Sequence, residues 1–123
     1  MANTVVWFDL PVANLERATK FYSAVLSKDL KITSEHGFSM TVFPHEDGEV
    51  AGCLHQAYDF VPNISDLLIY FDVEKKMNHA VLEVTKYGGK VLDPASAIGP
   101  WGYRAIILDS EGNKVALYAR ELE

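Results

Sequence analysis

The chain has a single cysteine, Cys53, in 123 residues. One thiol cannot close an internal disulfide, which points to a reducing, cytoplasmic setting. Long apolar runs are missing too: none approaches the roughly 20 residues that a membrane-spanning helix needs, so a bilayer is excluded as partner. The opening, MANTVVWF, has neither the basic start nor the small-residue cleavage site of a signal peptide. Positive charge is sparse. Eleven Lys and Arg against 17 Asp and Glu leave a net charge of −6, with no basic cluster. This argues against nucleic acid and favours neutral or cationic ligands, although mild acidity also serves solubility. No Ser-His-Asp signature, P-loop, GxGxxG or CxxC is present, and Gly88-Gly89 reads as a helix stop, not a phosphate cradle.

What is present is globular: 49% hydrophobic and 23% charged residues, enough for one domain with a sizeable core. The organising stretch is Val5 to Leu26. Val5-Val6-Trp7-Phe8 reads as a strand and Pro11 to Asn14 as a turn. Apolar residues at Leu15, Ala18, Tyr22, Val25 and Leu26 then mark one face of a helix that Asn14 caps. Strands are expected at Lys31–Glu35, Phe38–Phe43 and Val50–Gln56, with a tight turn at His36-Gly37 and a hairpin turn through PHEDGE. Ala57 to Ser65 has neither helical nor strand period, contains Pro62 and reads as a linker. Beyond it lie a strand over Asp66–Val73, a helix over Glu74–Tyr87 and a short strand at Lys90–Leu92. An irregular loop follows over Asp93–Gly102. Strands at Tyr103–Leu108 and Lys114–Ala119, joined by the turn DSEGN, close the chain.

The second half repeats the first. Phe8-Asp9 recurs as Phe71-Asp72, Asp47-Gly48 as Glu111-Gly112, and Val50-Ala51 as Val115-Ala116, at a nearly constant offset. Each half is βαβββ, with module 1 at about 1–56, the linker at 57–65 and module 2 at about 66–123 of a single domain. The expected class is α+β: tandem modules packed together, or across a dimer, into one curved eight-stranded mixed sheet with a concave ligand cup.

Three segments, WFDLPVANLERATKFY, LLIYFDVEKKMNHAVLEVTKYGGKVL and IGPWGYRAIILDSEGNKVALY, give the chain a resemblance to the vicinal oxygen chelate superfamily. This group includes glyoxalase I, bleomycin-resistance proteins, fosfomycin-resistance enzymes and extradiol dioxygenases. The resemblance covers essentially the whole chain and is strongest to a small glyoxalase-like branch. It implies a divalent metal held by His, Glu or Gln from the first and last strand of each module, acting as a Lewis acid on vicinal oxygens. Carried onto this chain, the first-strand position falls on Trp7. Its counterpart falls on Leu68, with Tyr70 next on the same face, and the final Glu position falls on Ala116. None of these binds a divalent ion. On the fourth strand Ala51, Cys53 and His55 share one face and Gly52, Leu54 and Gln56 the other, so at most His55 or Gln56 enters the cup. No family-typical metal or other cofactor is expected.

The candidate ligand-binding residues are therefore Trp7, Asp9, Phe43 and His55 from the first half, and Tyr70, Trp101, Tyr103 and Tyr118 from the second. Aromatics on sheet positions serve the core or line a pocket. With the metal positions apolar, they leave the cup mainly aromatic, the usual character of a small-molecule site. His55 is the weak catalytic candidate, as a base or hydrogen-bond donor, whereas His36, His45 and His79 read as solvated surface. Asp9 and Asp72 occupy equivalent places and either turn outward, cap turns, or form a carboxylate pair in the cup. Trp101, between Gly99-Pro100 and Gly102, is a lid or a dimer contact. Cys53, among small residues, reads as a buried thiol. The sequence thus suggests a homodimer that binds a small organic molecule in an aromatic cup without a metal. The alternatives are a glyoxalase-type lyase or isomerase with a non-standard ligand set, and a metabolite-sensing accessory domain.

Overall fold

The computed structural model describes residues 3–35 and 37–123, which leaves the expected turn residue His36 outside the described residues. The first helix forms where its apolar spacing places it. The Asn14 side chain accepts the Arg17 backbone N–H at 3.0 Å, and α1 (Leu15–Leu26) buries Leu15, Ala18, Phe21, Tyr22 and Val25. Around it lie β1 (Trp7–Val12), β2 (Ile32–Glu35), β3 (Phe38–Val42) and β4 (Ala51–Gln56). The second half repeats the order with β5 (Tyr70–Asp72), α2 (Met77–Lys86), β6 (Lys90–Ala97), a 3-10 turn at Gly99–Trp101, β7 (Tyr103–Leu108) and β8 (Lys114–Ala119). The βαβββ repeat and the α+β class are borne out.

Two boundaries move for the same reason. The turn expected from Pro11 is strand, and β6 runs through Pro94 to Ala97 in place of the irregular loop expected from Asp93. Both strands are sheet edges, where a residue without an N–H loses no ladder bond if that side faces away from the sheet. The Pro11 carbonyl points outward, accepting the Asn113 amide, and so does its missing N–H. α2 begins at Met77 and not Glu74, because Lys75 takes a left-handed backbone (φ 64°) that breaks the helical path.

The ladders close into two four-stranded sheets, β1-β4-β3-β2 and β5-β8-β7-β6, each with one parallel pair and two antiparallel pairs. Among the described residues no ladder joins β1 to β5. The single eight-stranded sheet expected from the sequence is thus replaced by two sheets that meet through side chains. Phe8, Tyr22, Phe43 and Phe71 stack across the junction with ring centroids 5.0–5.9 Å apart. Residues from both halves, such as Leu10, Val25, Met77 and Leu117, belong to one buried cluster against the helices. The modules therefore pair within the chain.

The DSEGN turn fastens this pairing. The buried Asp109 carboxylate accepts the Tyr22 hydroxyl at 2.6 Å and the backbone N–H groups of Glu111 and Asn113 at 2.8 and 2.9 Å. Glu111 accepts the backbone N–H groups of Ala13 and Asn14, at the start of α1, and pairs with Arg17 at 2.7 Å. The linker joins too: Asn63 N–H donates to the Asn113 side chain, and Lys114 N–H donates to the Asn63 carbonyl. Burial raises the Asp109 carboxyl above its ordinary range despite these donors. Burial also pushes Glu111 upward, but Arg17, the Asn14 N–H and Ser110 outweigh it and leave the group below its ordinary value.

Candidate functional site

Strand register assigns every side chain a face, because directly paired residues point to the same side of a sheet. Phe8, Leu10 and Leu54 face the helices. Trp7, Asp9, Ala51, Cys53 and His55 therefore occupy the opposite, open face of the first sheet, with Met40 beside His55. On the second sheet the same logic places Tyr70, Asp72, Ala116, Tyr118 and Arg104 on the open face.

Register sets the places that the resemblance equates with metal ligands. Trp7 pairs with Ala51, and Tyr70 with Ala116, at matching ends of the two parallel ladders. Trp7's counterpart is thus Tyr70. Leu68, the position read from the sequence, lies before β5. An indole, a phenol and two methyl groups are no donor set for a divalent ion, and among the described residues no three His, Cys, Asp or Glu side chains converge. Gln56, the other fourth-strand candidate, is spent on the fold: its side-chain oxygen accepts the Leu15 N–H at 3.1 Å, at the start of α1.

Asp9 is the centre of the polar groups on this face. One of its oxygens, Oδ1, accepts the Trp7 indole N–H at 2.8 Å and the Cys53 thiol at 3.4 Å. The indole bond, aided by the Cys53 thiol and His55, holds the carboxyl below its ordinary value against the opposing cost of burial. Cys53 is buried as expected, and burial together with the neighbouring carboxylate pushes its thiol up to about 11. It is a packed thiol and no nucleophile.

Two clefts meet at Asp9. The first, about 610 Å³, has Phe38, Met40, Cys53, His55 and Gln56 on its walls. The second, about 590 Å³, lies in the seam between the modules, where Val5, Val50, Leu67, Leu68 and Tyr70 give a mainly apolar lining. Asp9 lines both.

The other sequence candidates separate. Tyr118 is on the open face, 6.4 Å from Tyr70 between ring centroids, and its hydroxyl donates to the Trp101 carbonyl. Phe43 lies on the helix side, buried among Phe8, Tyr22 and Phe71, because β3 ends by turning this ring into the junction. Tyr103 is also on the helix side, by its register with Ala119. Trp101 is 74% exposed on its 3-10 turn and lines neither cleft at Asp9. Asp72 accepts the Glu74 N–H at 3.0 Å, a turn cap, and shares no cleft with Asp9. His45 and His79 are exposed. Arg104, which donates to the Tyr70 hydroxyl, was missed, although alternation from Tyr103 was the signal that placed it opposite its neighbours.

No family model and no curated protein matches the chain. Solved structures do. A glyoxalase/bleomycin resistance protein from Albidiferax ferrireducens T118 superposes with a TM-score of 0.72 at 16% identity, covering 96% of this chain and all of the other. The fosfomycin resistance protein FosX from Listeria monocytogenes gives 0.68 at 13% identity, over 97% of this chain and 92% of that one. A glyoxalase I mutant from Zea mays gives 0.67 at 23% identity over 94% of this chain, which spans only 45% of the maize protein.

Proposed function

We propose that this chain, which carries the fold of the vicinal oxygen chelate superfamily, binds a small organic molecule on its open face and does so without the superfamily's metal. One observation carries the proposal: Asp9, an ionised carboxylate, lines both a cleft of mixed polarity and a mainly apolar one, and the positions that the resemblance equates with metal ligands hold Trp7, Ala51, Tyr70 and Ala116. An apolar wall with a few fixed polar groups is how small-molecule sites combine affinity with orientation. Trp7, half-exposed, closes over Asp9 and supplies aromatic surface. His55 supplies a further polar group of the first cleft, beside Ser39 and Gln56.

Two measurements test this. The first is metal content after incubation with zinc, nickel, manganese and ferrous iron. We expect well under one ion per chain, and one tightly held ion would restore the lyase or isomerase alternative. The second is Trp7 fluorescence during titration with small aromatic compounds, in a Trp101→Phe background. A saturable change that Asp9→Ala abolishes is expected; no change with any compound would sink the proposal.

A further inference from the structure

The two clefts at Asp9 carry charge of one sign. Among the described residues that line them, Asp9 alone has a formal charge, and neither wall holds a lysine, an arginine or a second carboxylate. His55, in the first cleft, adds a positive charge only when protonated. Arg104, which donates to the Tyr70 hydroxyl, lines a separate cleft with Asp93 and Ser96. The Asp9 carboxylate, which is exposed, also has acceptor capacity to spare. The Trp7 and Cys53 bonds both fall on Oδ1, and among the described residues Oδ2 accepts none. Aromatic surface lies close by: the indole bond holds Trp7 against this carboxylate, and Tyr70 lines the seam cleft.

A ligand that fills the seam cleft covers Asp9, and the group it presents to Oδ2 decides the outcome. An apolar group strips water from an ionised carboxylate and returns nothing. An anion adds repulsion, with no cation on either wall to offset it. A protonated amine replaces the lost water with a charge-assisted hydrogen bond, and the rings of Trp7 and Tyr70 add surface that attracts a cation. We infer, resting on the ligand site proposed above, that the ligand is a small organic cation. Its protonated amine donates to Asp9 Oδ2, and its apolar body lies in the seam cleft against Val5, Leu67 and Leu68.

The test uses three probes on one phenylethyl skeleton: phenethyl alcohol, hydrocinnamate and phenethylamine, which are neutral, anionic and cationic. Binding is read from Trp7 fluorescence in the full-length Trp101→Phe chain at about pH 8, where an ordinary histidine is neutral. Phenethylamine is expected to bind about fivefold more tightly than the alcohol, and hydrocinnamate more weakly than either. Asp9→Asn keeps the size of the side chain and an oxygen for the Trp7 bond, and should bring the amine down to the level of the alcohol. Asp72→Asn removes the same charge outside both clefts and should leave the amine's affinity unchanged. Circular dichroism confirms that each variant is folded. Equal losses in the two variants would trace the preference to the net charge of the whole molecule and overturn the inference. Hydrocinnamate binding as tightly as the amine, or an Asp9→Asn variant with unchanged affinity, overturns it too. If the alcohol binds as tightly as the amine, the charge assignment fails while the ligand site stands. If none of the three binds, both fail.

Discussion

At the scale of single residues, Glu111 carries more than its place in an exposed-looking turn suggests. Its carboxylate satisfies two backbone donors at the start of α1 and an arginine, so Glu111→Ala leaves three groups of the other module without a partner. The expected loss is about 2–4 kcal/mol by urea denaturation. The sign of the pH effect follows from its lowered folded value. Its contribution is present above the ordinary glutamate value of 4.5 and disappears as pH falls through the lower value of the folded state. Glu111→Gln should therefore flatten the acid side of the stability profile, and a profile parallel to the parent's would count against the clamp. Glycines differ by cause. At Gly89 a methyl group would sit 2.5 Å from the Leu108 carbonyl and 2.7 Å from the Phe21 ring, so Gly89→Ala should cost roughly 3 kcal/mol. At Gly48 nothing lies near, and only its positive φ of 87° resists a side chain, for about 1 kcal/mol. Thermal denaturation of the two variants should rank them in that order.

At the scale of elements, most of the fold was legible. The apolar spacing from Leu15 to Leu26 and the Asn14 cap defined α1, and Gly88-Gly89 marked the end of α2. The repeat of Phe8-Asp9 in Phe71-Asp72 correctly made β1 and β5 counterparts. Proline misled twice, because whether it ends a strand depends on the strand's place in the sheet, which is not a local property. The same dependence hid half of the site. Alternation told that Trp7 and Asp9 share a face, but not that Phe43 turns inward or that Arg104 comes to lie against Tyr70, since both depend on how the modules dock. Strand β6 offers a check. Its two register shifts and edge position make Pro94 dispensable, so Pro94→Ala should change stability by no more than about 0.5 kcal/mol. A larger loss would show that the proline itself holds the irregular stretch.

At the scale of the molecule, the two halves share one core and should melt as one. The tryptophans report on them separately, Trp7 from the first sheet and Trp101 from the turn before β7. In Trp7→Phe and Trp101→Phe variants the remaining indole should report the same urea midpoint, and separated midpoints would mean that the junction is weaker than its aromatic packing implies. The linker bears on how two copies could meet. Asn63 is bound at both its N–H and its carbonyl to the turn and strand that clamp α1. Two chains that trade halves must first release this stitch, along with the Tyr22 and Arg17 bonds, from both partners at once. Exchange is therefore a slow, unfolding-limited event, and any association on ordinary timescales brings together chains that each keep their own halves.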